Sequence, residues 1–287
     1  MRALGPTPDG YVVHRIADTY LVLDRAVSGD LVRLRLAEPR TRRRLFARAP
    51  LRGRGSAPTV PVRSGLDMVL RRYRHGGLLA RLLGPLYLGP RRALDELRVS
   101  AEAELAGAPV PHVLCLVLWP QWGPLWSALI GTREEPRGRD LLECAQAAAA
   151  GEFRRLGERV GEAVRRLHDA GVDHPDLQLR NILVVDEEPE PRVVVIDLDR
   201  ARYHPSGGVP GRRRAANLGR LARSAIKNGL WGGVVGRREL AAFARGYAGR
   251  DRELRLELRG WSARERLKIA LHRLRYRFLR APQPAKP

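Results

Sequence analysis

Residues 172–181, VDHPDLQLRN, are the stretch that decides the fold. Within them the pattern His174-x-Asp176-Leu-x-x-x-Asn181 puts a carboxylate and a carboxamide on one tight loop. Two apolar runs follow and end at a second carboxylate, Asp197. Mg²⁺ prefers oxygen ligands such as Asn181 and Asp197 carry, and Asp176 could take the proton of an acceptor hydroxyl. The stretch therefore predicts a phosphoryl-transfer site.

A less specific interpretation of the same loop stays open. Asp and Asn also occur in polar turns, where Asp176 and Asn181 would only hydrogen-bond the neighbouring backbone. His174 is interpreted as a residue that orients the loop, because no second His or Cys occurs at metal-ligand spacing from it. The spacing of the whole pattern, with a predicted hairpin behind it, favours phosphoryl transfer.

Composition limits the partners that this chain is expected to bind. Its 287 residues suffice for one large or two small domains, and the net charge is +22. Such a charge favours nucleic acid, an anionic membrane surface or a polyanionic substrate. Only three of the 53 basic residues are Lys, so codon composition could explain part of the Arg excess. No nucleic-acid motif with interleaved aromatic residues occurs, and no nucleic acid is expected as a partner.

The cysteines and the apolar runs predict the compartment. Cys115 and Cys144 are too few for a disulfide scaffold and have no C-x-x-C metal spacing. Residues 1–10 lack the apolar segment of a secretory signal, and the longest strongly apolar run, 113–119, is too short to span a bilayer. We therefore expect a cytoplasmic protein that is soluble or peripheral to a membrane.

Alternating apolar residues predict short strands in the first part of the chain, at 20–24, 31–36 and 68–73. The basic run 40–44 is expected to be a solvated loop. Gly53 and Gly55, in the sequence GRGS, precede the third strand. Glycines let backbone N–H groups approach a phosphate closely, although a plain hairpin turn is the simpler alternative. Their position before a strand favours a phosphate-binding loop.

Arg71 is predicted to be the cation that contacts the phosphates of a nucleotide. Alternation along strand 68–73 puts Arg71 on the face opposite to Met68 and Leu70. A kinase N-lobe has such a cation on the strand that follows its Gly-rich loop. Arg72 is the alternative contact, but the alternation favours Arg71.

A helix predicted over 91–106 offers a carboxylate to this cation. Glu96, early in the helix, could pair with Arg71 and fix its position. Glu102 and Glu104 are competing candidates on the same helix, and a solvated surface Glu is the plain alternative for each.

A polar joint at 132–136 divides the chain. It predicts an N-lobe over 1–136, with strands, the Gly-rich loop and a helix. It also predicts a C-lobe over 137–287, with the catalytic loop, the metal site and the C-terminal helices. In a kinase, the backbone of such a joint hydrogen-bonds adenine, and Glu134 lies at its centre.

The second half is predicted to be mostly helical, with helices at 153–170 and 217–227 and strands at 182–185 and 193–196. The span between Asp197 and the second helix is short, and no Ala-Pro-Glu triplet occurs, so a large protein substrate is not expected. An Arg-rich apolar stripe at 267–278 predicts a last helix. This helix either packs on the C-lobe or rests on anionic lipid headgroups.

With these motifs in place, the chain resembles the lipopolysaccharide kinases, and most closely the 3-deoxy-D-manno-octulosonic acid (Kdo) kinases. The resemblance covers residues 53–224 and is carried by GRGSA, VLRRYRHGGL, LDELRVSAEAELAGAPVP, LIGTREEPRGRDLLE, LHDAGVDHPDLQLRNILV, VIDLDRAR and NLGRLARSAIK. The most telling features are Arg71 where protein kinases have Lys and Asp-Leu-Asp in place of Asp-Phe-Gly. The resemblance implies an α+β, bilobal protein-kinase-like fold with a β-rich N-lobe and a mostly helical C-lobe.

The resemblance also implies roles for the site residues. Asp176 is implied to be the catalytic base, and Asn181 with Asp197 would bind Mg²⁺. Asp199 would bind a second metal or hold the loop, and both options stay open. ATP is then expected to contact Gly53, Gly55, Arg71, Glu96 and Glu134.

The acceptor implied by the resemblance is Kdo attached to lipid A. This anionic lipid-linked sugar lies at the cytoplasmic face of the bacterial inner membrane, and a cationic enzyme would be steered to that surface and held there peripherally. Three alternatives stay open: a kinase of a core heptose, a small-molecule or antibiotic kinase, and a catalytically silent kinase-like binding protein. The oligomeric state also stays open.

Overall fold

The computed structural model describes residues 4–47, 57–73, 86–148, 152–205, 207–258 and 260. The chain falls into two compact units. The N-terminal unit comprises Met1–Leu105 and Val110–Pro136, and the C-terminal unit comprises Ala106–Pro109 and Arg137–Pro287. The predictions for Gly53, Gly55 and the Arg-rich stripe at 267–278 lie outside the described residues.

The N-terminal unit contains a seven-stranded antiparallel sheet with the order β1-β2-β6-β7-β4-β3, in which β5 pairs with β7. The strands are β1 (Tyr11–Ile16), β2 (Thr19–Asp24), β3 (Thr59–Arg63), β4 (Leu66–Arg72), β5 (Tyr87–Leu88), β6 (Val113–Trp122) and β7 (Leu125–Arg133). The helices of this unit are α1 (Ser28–Arg33), α2 (Pro39–Ala47) and α3 (Arg91–Leu105).

Alternation along β4 sends its side chains into two cores, one on each face of the sheet. Met68 and Leu70 are fully buried in a core that also contains Leu31 of α1. Tyr73, just past the end of β4, points into the opposite core beside Leu97 of α3. Each fully buried Leu contributes about 1.5–3 kcal/mol, so the two cores hold β4 in its register.

The strand predicted over 31–36 is wrong, because these residues form the end of α1 and a turn. The side chain of Asp24 accepts a hydrogen bond of 2.7 Å from the backbone N–H of Ala26 and caps a 3-10 turn that ends β2. Leu31 and Leu36 are both buried, which a short helix followed by a turn achieves as well as a strand. Six alternating residues are too few to separate the two structures.

The solvated loop predicted over 40–44 is also wrong, because these residues form part of α2. Arg42 is only 6% exposed and donates to the carbonyl oxygens of Leu36 and Ala37 at 2.7 and 2.6 Å. Its guanidinium lies 4.0 Å from the ring centroid of Trp119. A buried cation is tolerated when it is hydrogen-bonded and stacked in this way.

The C-terminal unit is mainly helical. Its helices are α4 (Leu141–Ala147), α5 (Glu152–Asp169), α6 (Gly211–Lys227) and α7 (Arg237–Ala248). Its strands are β8 (Arg139–Asp140), β9 (Val172–Asp173), β10 (Ile182–Val185), β11 (Arg192–Val195) and β12 (Arg202–Tyr203). They form one sheet of order β11-β10-β8 and a two-stranded pair, β12-β9. Within the described ranges, no helix is both long and apolar enough to cross a membrane.

Helix α5 is held against α7 by glycines at their contact. A Cβ added to Gly161 would lie 2.3 Å from the carbonyl oxygen of Phe243, and one added to Gly246 would lie 2.0 Å from that of Glu158. Only residues without side chains allow the two backbones to come this close. Gly171 then ends the helical segment with φ of +83° and leads the chain into β9, which is followed by the loop that contains Asp176.

Candidate active site

The loop between β9 and β10 is folded by its own alternation of leucines and polar residues. Leu177 and Leu179 are buried at 0% and 3% exposure and anchor the loop in the C-terminal unit. The N–H of Leu177 donates to the carbonyl of His174 at 3.0 Å, and that of Asn181 donates to Gln178 at 2.9 Å. These turns direct the polar side chains between the leucines away from the core.

His174 fastens this loop to the strand that leads to Asp197. It is fully buried, and its Nε2 lies 3.2 Å from the carbonyl oxygen of Ile196. Burial lowers the pKa of His174, so the ring is neutral and Nε2–H is the donor in this contact. This is the loop-orienting position that the sequence predicts for His174.

Asn181 ties the ends of the loop together. Its Nδ2 donates to the backbone carbonyl of Asp176 at 3.0 Å, and its own carbonyl accepts from the N–H of Ile196 at 2.9 Å. The first contact is the turn-type interaction that stayed open as the plain alternative. It occupies only the amide nitrogen, so the amide oxygen of Asn181 is left for a cation.

Asp197 follows β11 in an unusual backbone conformation. Its φ is +65°, in the left-handed region that residues other than Gly and Asn rarely adopt. Leu198, the next residue, is 3% exposed and fills the core position in the Asp-Leu-Asp segment. A strained residue next to the hydrogen-bonded pair of Ile196 and Asn181 is typical of a functional site.

The carboxylate of Asp176 is bound by Arg220, which the sequence pattern did not predict as a site residue. Its Oδ1 accepts a hydrogen bond of 2.6 Å from Arg220 of α6, while Gln178 lies 3.4 Å from Oδ2. The side chains of Asp176 and Arg220 are 36% and 45% exposed. The signal for Arg220 is the polar spacing along α6, which becomes recognisable only when the helix is placed beside the loop.

In the N-terminal unit, Arg71 forms an ion pair with Glu96 of α3. The hydroxyl of Tyr73 donates to the second oxygen of Glu96, and the Arg71 guanidinium lies 5.0 Å from the Tyr73 ring centroid. Glu96 is 5% exposed, so these two donors satisfy a buried carboxylate. Tyr73 was not foreseen as a site residue, although its position two residues after Arg71 puts both on one face of the strand.

The competing candidates for this pair have other contacts. Glu102 is exposed, and Glu104 accepts a hydrogen bond of 2.7 Å from His112. Arg72 donates to the carbonyl of Arg42 at 3.3 Å and lies 3.9 Å from the ring centroid of Phe46, on the opposite face of the sheet. The Arg71–Glu96 pair is therefore the one that the structure contains.

Glu134, at the centre of the predicted joint, uses its backbone N–H and its side chain inside the N-terminal unit. Its backbone N–H donates to the carbonyl of Asp67 at 2.9 Å, and its Oε1 accepts from the hydroxyl of Thr59 at 3.2 Å. The N–H is therefore used inside the unit and cannot bind adenine at the same time. The carbonyl is the backbone group of Glu134 that remains for that contact.

Comparison with known proteins gives three findings. Residues 41–247 match the family described as "Lipopolysaccharide kinase (Kdo/WaaP) family". A 3-deoxy-D-manno-octulosonic acid kinase of Vibrio cholerae is 30% identical over 176 residues, which are 60% of this chain and 70% of that protein. Another from Xanthomonas oryzae pv. oryzae is 35% identical over 180 residues, which are 61% of this chain and 68% of that protein.

A solved structure described as WaaP in complex with acyl carrier protein has a similar fold. It aligns with a TM-score of 0.57 and 23% identity, over 88% of this chain and 98% of that one. At this identity the likeness concerns the fold alone. The α+β, protein-kinase-like fold class predicted from the sequence is confirmed.

Proposed function

Since this chain belongs to the lipopolysaccharide kinase (Kdo/WaaP) family, we propose that it uses ATP to phosphorylate a sugar hydroxyl of the lipopolysaccharide inner core. The proposed acceptor is Kdo attached to lipid A, because the curated relatives at 30% and 35% identity carry the name of Kdo kinases. The observation that carries the proposal is the hydrogen-bonded set of Asp176, Asn181 and Ile196, which leads directly to Asp197.

Asp176 is the proposed general base. Its side chain is partly exposed, at 36%. The longer of its two contacts, from Gln178 to Oδ2, leaves this oxygen available to an acceptor hydroxyl. In the reaction, Asp176 orients the hydroxyl and accepts its proton as the oxygen bonds to phosphorus. Anchoring by Leu177 and Asn181 keeps the carboxylate in place, because small displacements of reacting groups are costly.

Asn181 and Asp197 are the proposed holders of Mg²⁺, which when bound neutralises charge on the phosphates of ATP. The amide oxygen of Asn181 and the carboxylate of Asp197 are hard oxygen donors, which suits this cation. Mg²⁺ usually takes one or two protein ligands and completes its shell with phosphate and water. In the part of the chain that the structure describes, no cluster of three or more His, Cys, Asp or Glu residues could hold a metal, which agrees with so small a ligand set.

Arg71 is the proposed contact for the phosphates of ATP. Its side chain is 36% exposed and therefore accessible to a ligand, while Glu96 and Tyr73 fix its position. A guanidinium can bind two phosphate oxygens at once and stays charged at any physiological pH. The Gly53–Gly55 loop and the carbonyl of Glu134 are proposed to contribute the remaining contacts.

Peripheral binding to the anionic cytoplasmic face of the inner membrane is part of the proposal. The net charge of +22 supports it, because each Lys or Arg near such a surface is attracted to it. Trp122 and Leu88 are 79% and 80% exposed, and both pair with Leu125 across the sheet, so they leave the same face. Exposed Trp and Leu side chains suit the membrane interface. Co-sedimentation with anionic but not neutral vesicles is expected, and equal binding to both would contradict it.

The direct test of the acceptor is incubation with labelled ATP, Mg²⁺ and either Kdo-bearing lipid A or a heptose-bearing core acceptor. Mass analysis then locates the phosphate. Phosphate on Kdo supports the proposal, whereas phosphate only on heptose would replace Kdo by heptose as the acceptor. If neither is labelled and ATP with Mg²⁺ does not raise the melting temperature, the chain is a catalytically silent binding protein.

A further inference from the structure

Helix α6 presents one polar face to the catalytic loop and to the elements beside it. We call this face the α6 stripe, and its residues are Arg213, Asn217, Arg220 and Ser224. Their spacing of four, three and four residues places all of them on one side of a helix. Leu221 and Ala225 are buried and fix the rotation of α6, so the stripe faces the loop in a defined way.

The α6 stripe contacts the loop on both sides of the catalytic carboxylate. The Nε of Arg213 lies 3.8 Å from Oδ2 of Asp173, just before the loop. The hydroxyl of Ser224 accepts from the N–H of Leu179 at 3.3 Å, within the loop and beyond Asp176. Arg220 lies between these contacts, so the helix reaches Asp176 from a position fixed at both ends.

Asn217 anchors the same stripe to α5. Its Nδ2 lies 3.3 Å from Nε2 of His168, whose Nδ1 lies 2.7 Å from the hydroxyl of Tyr247. Burial lowers the pKa of His168 to about 3, so the ring is neutral and can accept from Asn217 while it donates to Tyr247. The helix that carries Arg220 is therefore held in place by buried hydrogen bonds.

In the part of the chain that the structure describes, the cation that contacts Asp176 comes from α6 and not from the loop itself. Within the loop, Gln178 is neutral, and Arg180 lies 3.9 Å from Asp140. Arg220 makes the shorter of the two contacts to Asp176, at 2.6 Å against 3.4 Å for Gln178. Because both partners are partly exposed, the pair contributes little to stability, which points to another reason for its presence.

We propose that Arg220 is a positioning residue for Asp176, an inference that rests on the proposed function. The guanidinium holds Oδ1 and thereby presents Oδ2 to the acceptor hydroxyl. The hydroxyl O–H bond breaks, its proton moves to Oδ2, and the acceptor oxygen forms the new bond to phosphorus. The bond between the γ-phosphorus and the bridging oxygen breaks with its electron pair on ADP. Arg220 stays protonated throughout and keeps the carboxylate in one orientation.

The test compares Arg220→Ala, Arg220→Lys and the matched control Arg212→Gln. Arg212 is exposed on the same helix but outside the α6 stripe. We expect Arg220→Ala to lower kcat by about 10–100-fold, because the base loses its fixed orientation. The KM for ATP and the rise in melting temperature with ATP and Mg²⁺ should stay within about twofold of wild type, since Arg220 is not among the residues proposed to contact the nucleotide. Arg220→Lys should recover part of kcat, and Arg212→Gln should match wild type.

Two further readouts separate positioning from a structural role. Guanidinium ion at millimolar concentration should restore part of the activity of Arg220→Ala and none of that of Asp176→Ala. In a double-mutant cycle, Arg220→Ala should add little to the loss caused by Asp176→Ala, because both act on the same proton transfer. Additive losses, or a kcat for Arg220→Ala within twofold of wild type, would overturn the assignment.

The proposed function is judged separately in the same assay. Absence of wild-type turnover on Kdo-bearing lipid A would reject the proposed acceptor. The variant-to-wild-type ratio would then be measured on the heptose-bearing acceptor. If Arg220→Ala does not fold, Arg220→Met replaces it, since it keeps the aliphatic stem and removes the charge and the donors. A kcat of that variant within twofold of wild type would reject the role of Arg220.

Discussion

Replacing Glu96 with Ala removes a buried carboxylate that joins a strand to a helix. Without it, the hydroxyl of the buried Tyr73 loses the hydrogen bond to Glu96, at a cost of about 1–3 kcal/mol. The ion pair with Arg71 adds only about 1 kcal/mol, because the Arg71 side chain is 36% exposed and can turn to water. We therefore expect the free energy of unfolding to fall by about 2–4 kcal/mol.

Urea unfolding of the wild type and variants measures this loss. Glu102→Ala, an exposed Glu on the same helix, is the matched control and should change stability by less than about 0.5 kcal/mol. Tyr73→Phe removes one hydrogen bond and should cost about 1 kcal/mol. Glu96→Ala should also raise the KM for ATP, since Arg71 is no longer fixed. The reasoning is refuted if Glu96→Ala and Glu102→Ala unfold at the same urea concentration.

Two further predictions concern stability. Gly246→Ala should lower the free energy of unfolding by about 1–3 kcal/mol, because a Cβ would lie 2.0 Å from the carbonyl oxygen of Glu158. Urea unfolding measures this loss, and a neutral effect would show that the backbones of α5 and α7 are not so close. The hydrogen bond with Glu104, and a second with Asp24, raise the pKa of His112 to about 9 against burial. Its stabilisation should be complete below about pH 6.5 and vanish as pH rises through 9, so wild type and His112→Gln should converge in urea unfolding at high pH. A constant difference would contradict this.

Local patterns predicted those parts of the site that depend on one strand or one loop. Alternation along β4 put Arg71 on the face opposite to Met68, and the structure places it beside Glu96 of α3. For the loop at 172–181, the contact of Asn181 with the backbone of Asp176 is the turn-type alternative that the sequence left open, and the roles of both residues in phosphoryl transfer stay predictions. Short-range geometry sets the face of the strand that Arg71 occupies and the backbone group that Asn181 contacts, whereas the choice of Glu96 depends on how α3 packs.

Contacts between distant segments were not predictable in the same way. Arg220 reaches Asp176 across 44 positions of sequence, and nothing in the helix pattern alone says which loop it faces. The sequence predicted Arg42 to be one of several solvated cations. In the structure it lies on α2, and its side chain packs against Trp119. The hydrogen bond from the N–H of Glu134 to Asp67 depends on the pairing of two distant strands, so the sequence could not show which backbone groups of the joint are already used. These features arise from tertiary packing, which a single sequence does not specify position by position.

The most direct test of the central claim is the transfer of labelled phosphate from ATP to Kdo-bearing lipid A by the wild type and by Asp176→Ala. The account predicts labelled Kdo with the wild type and a kcat lower by about two to four orders of magnitude in the variant. The variant should still be stabilised by ATP with Mg²⁺, because Asn181 and Asp197 are intact. Near-normal phosphorylation by Asp176→Ala would contradict the role of Asp176 as the base that serves the acceptor.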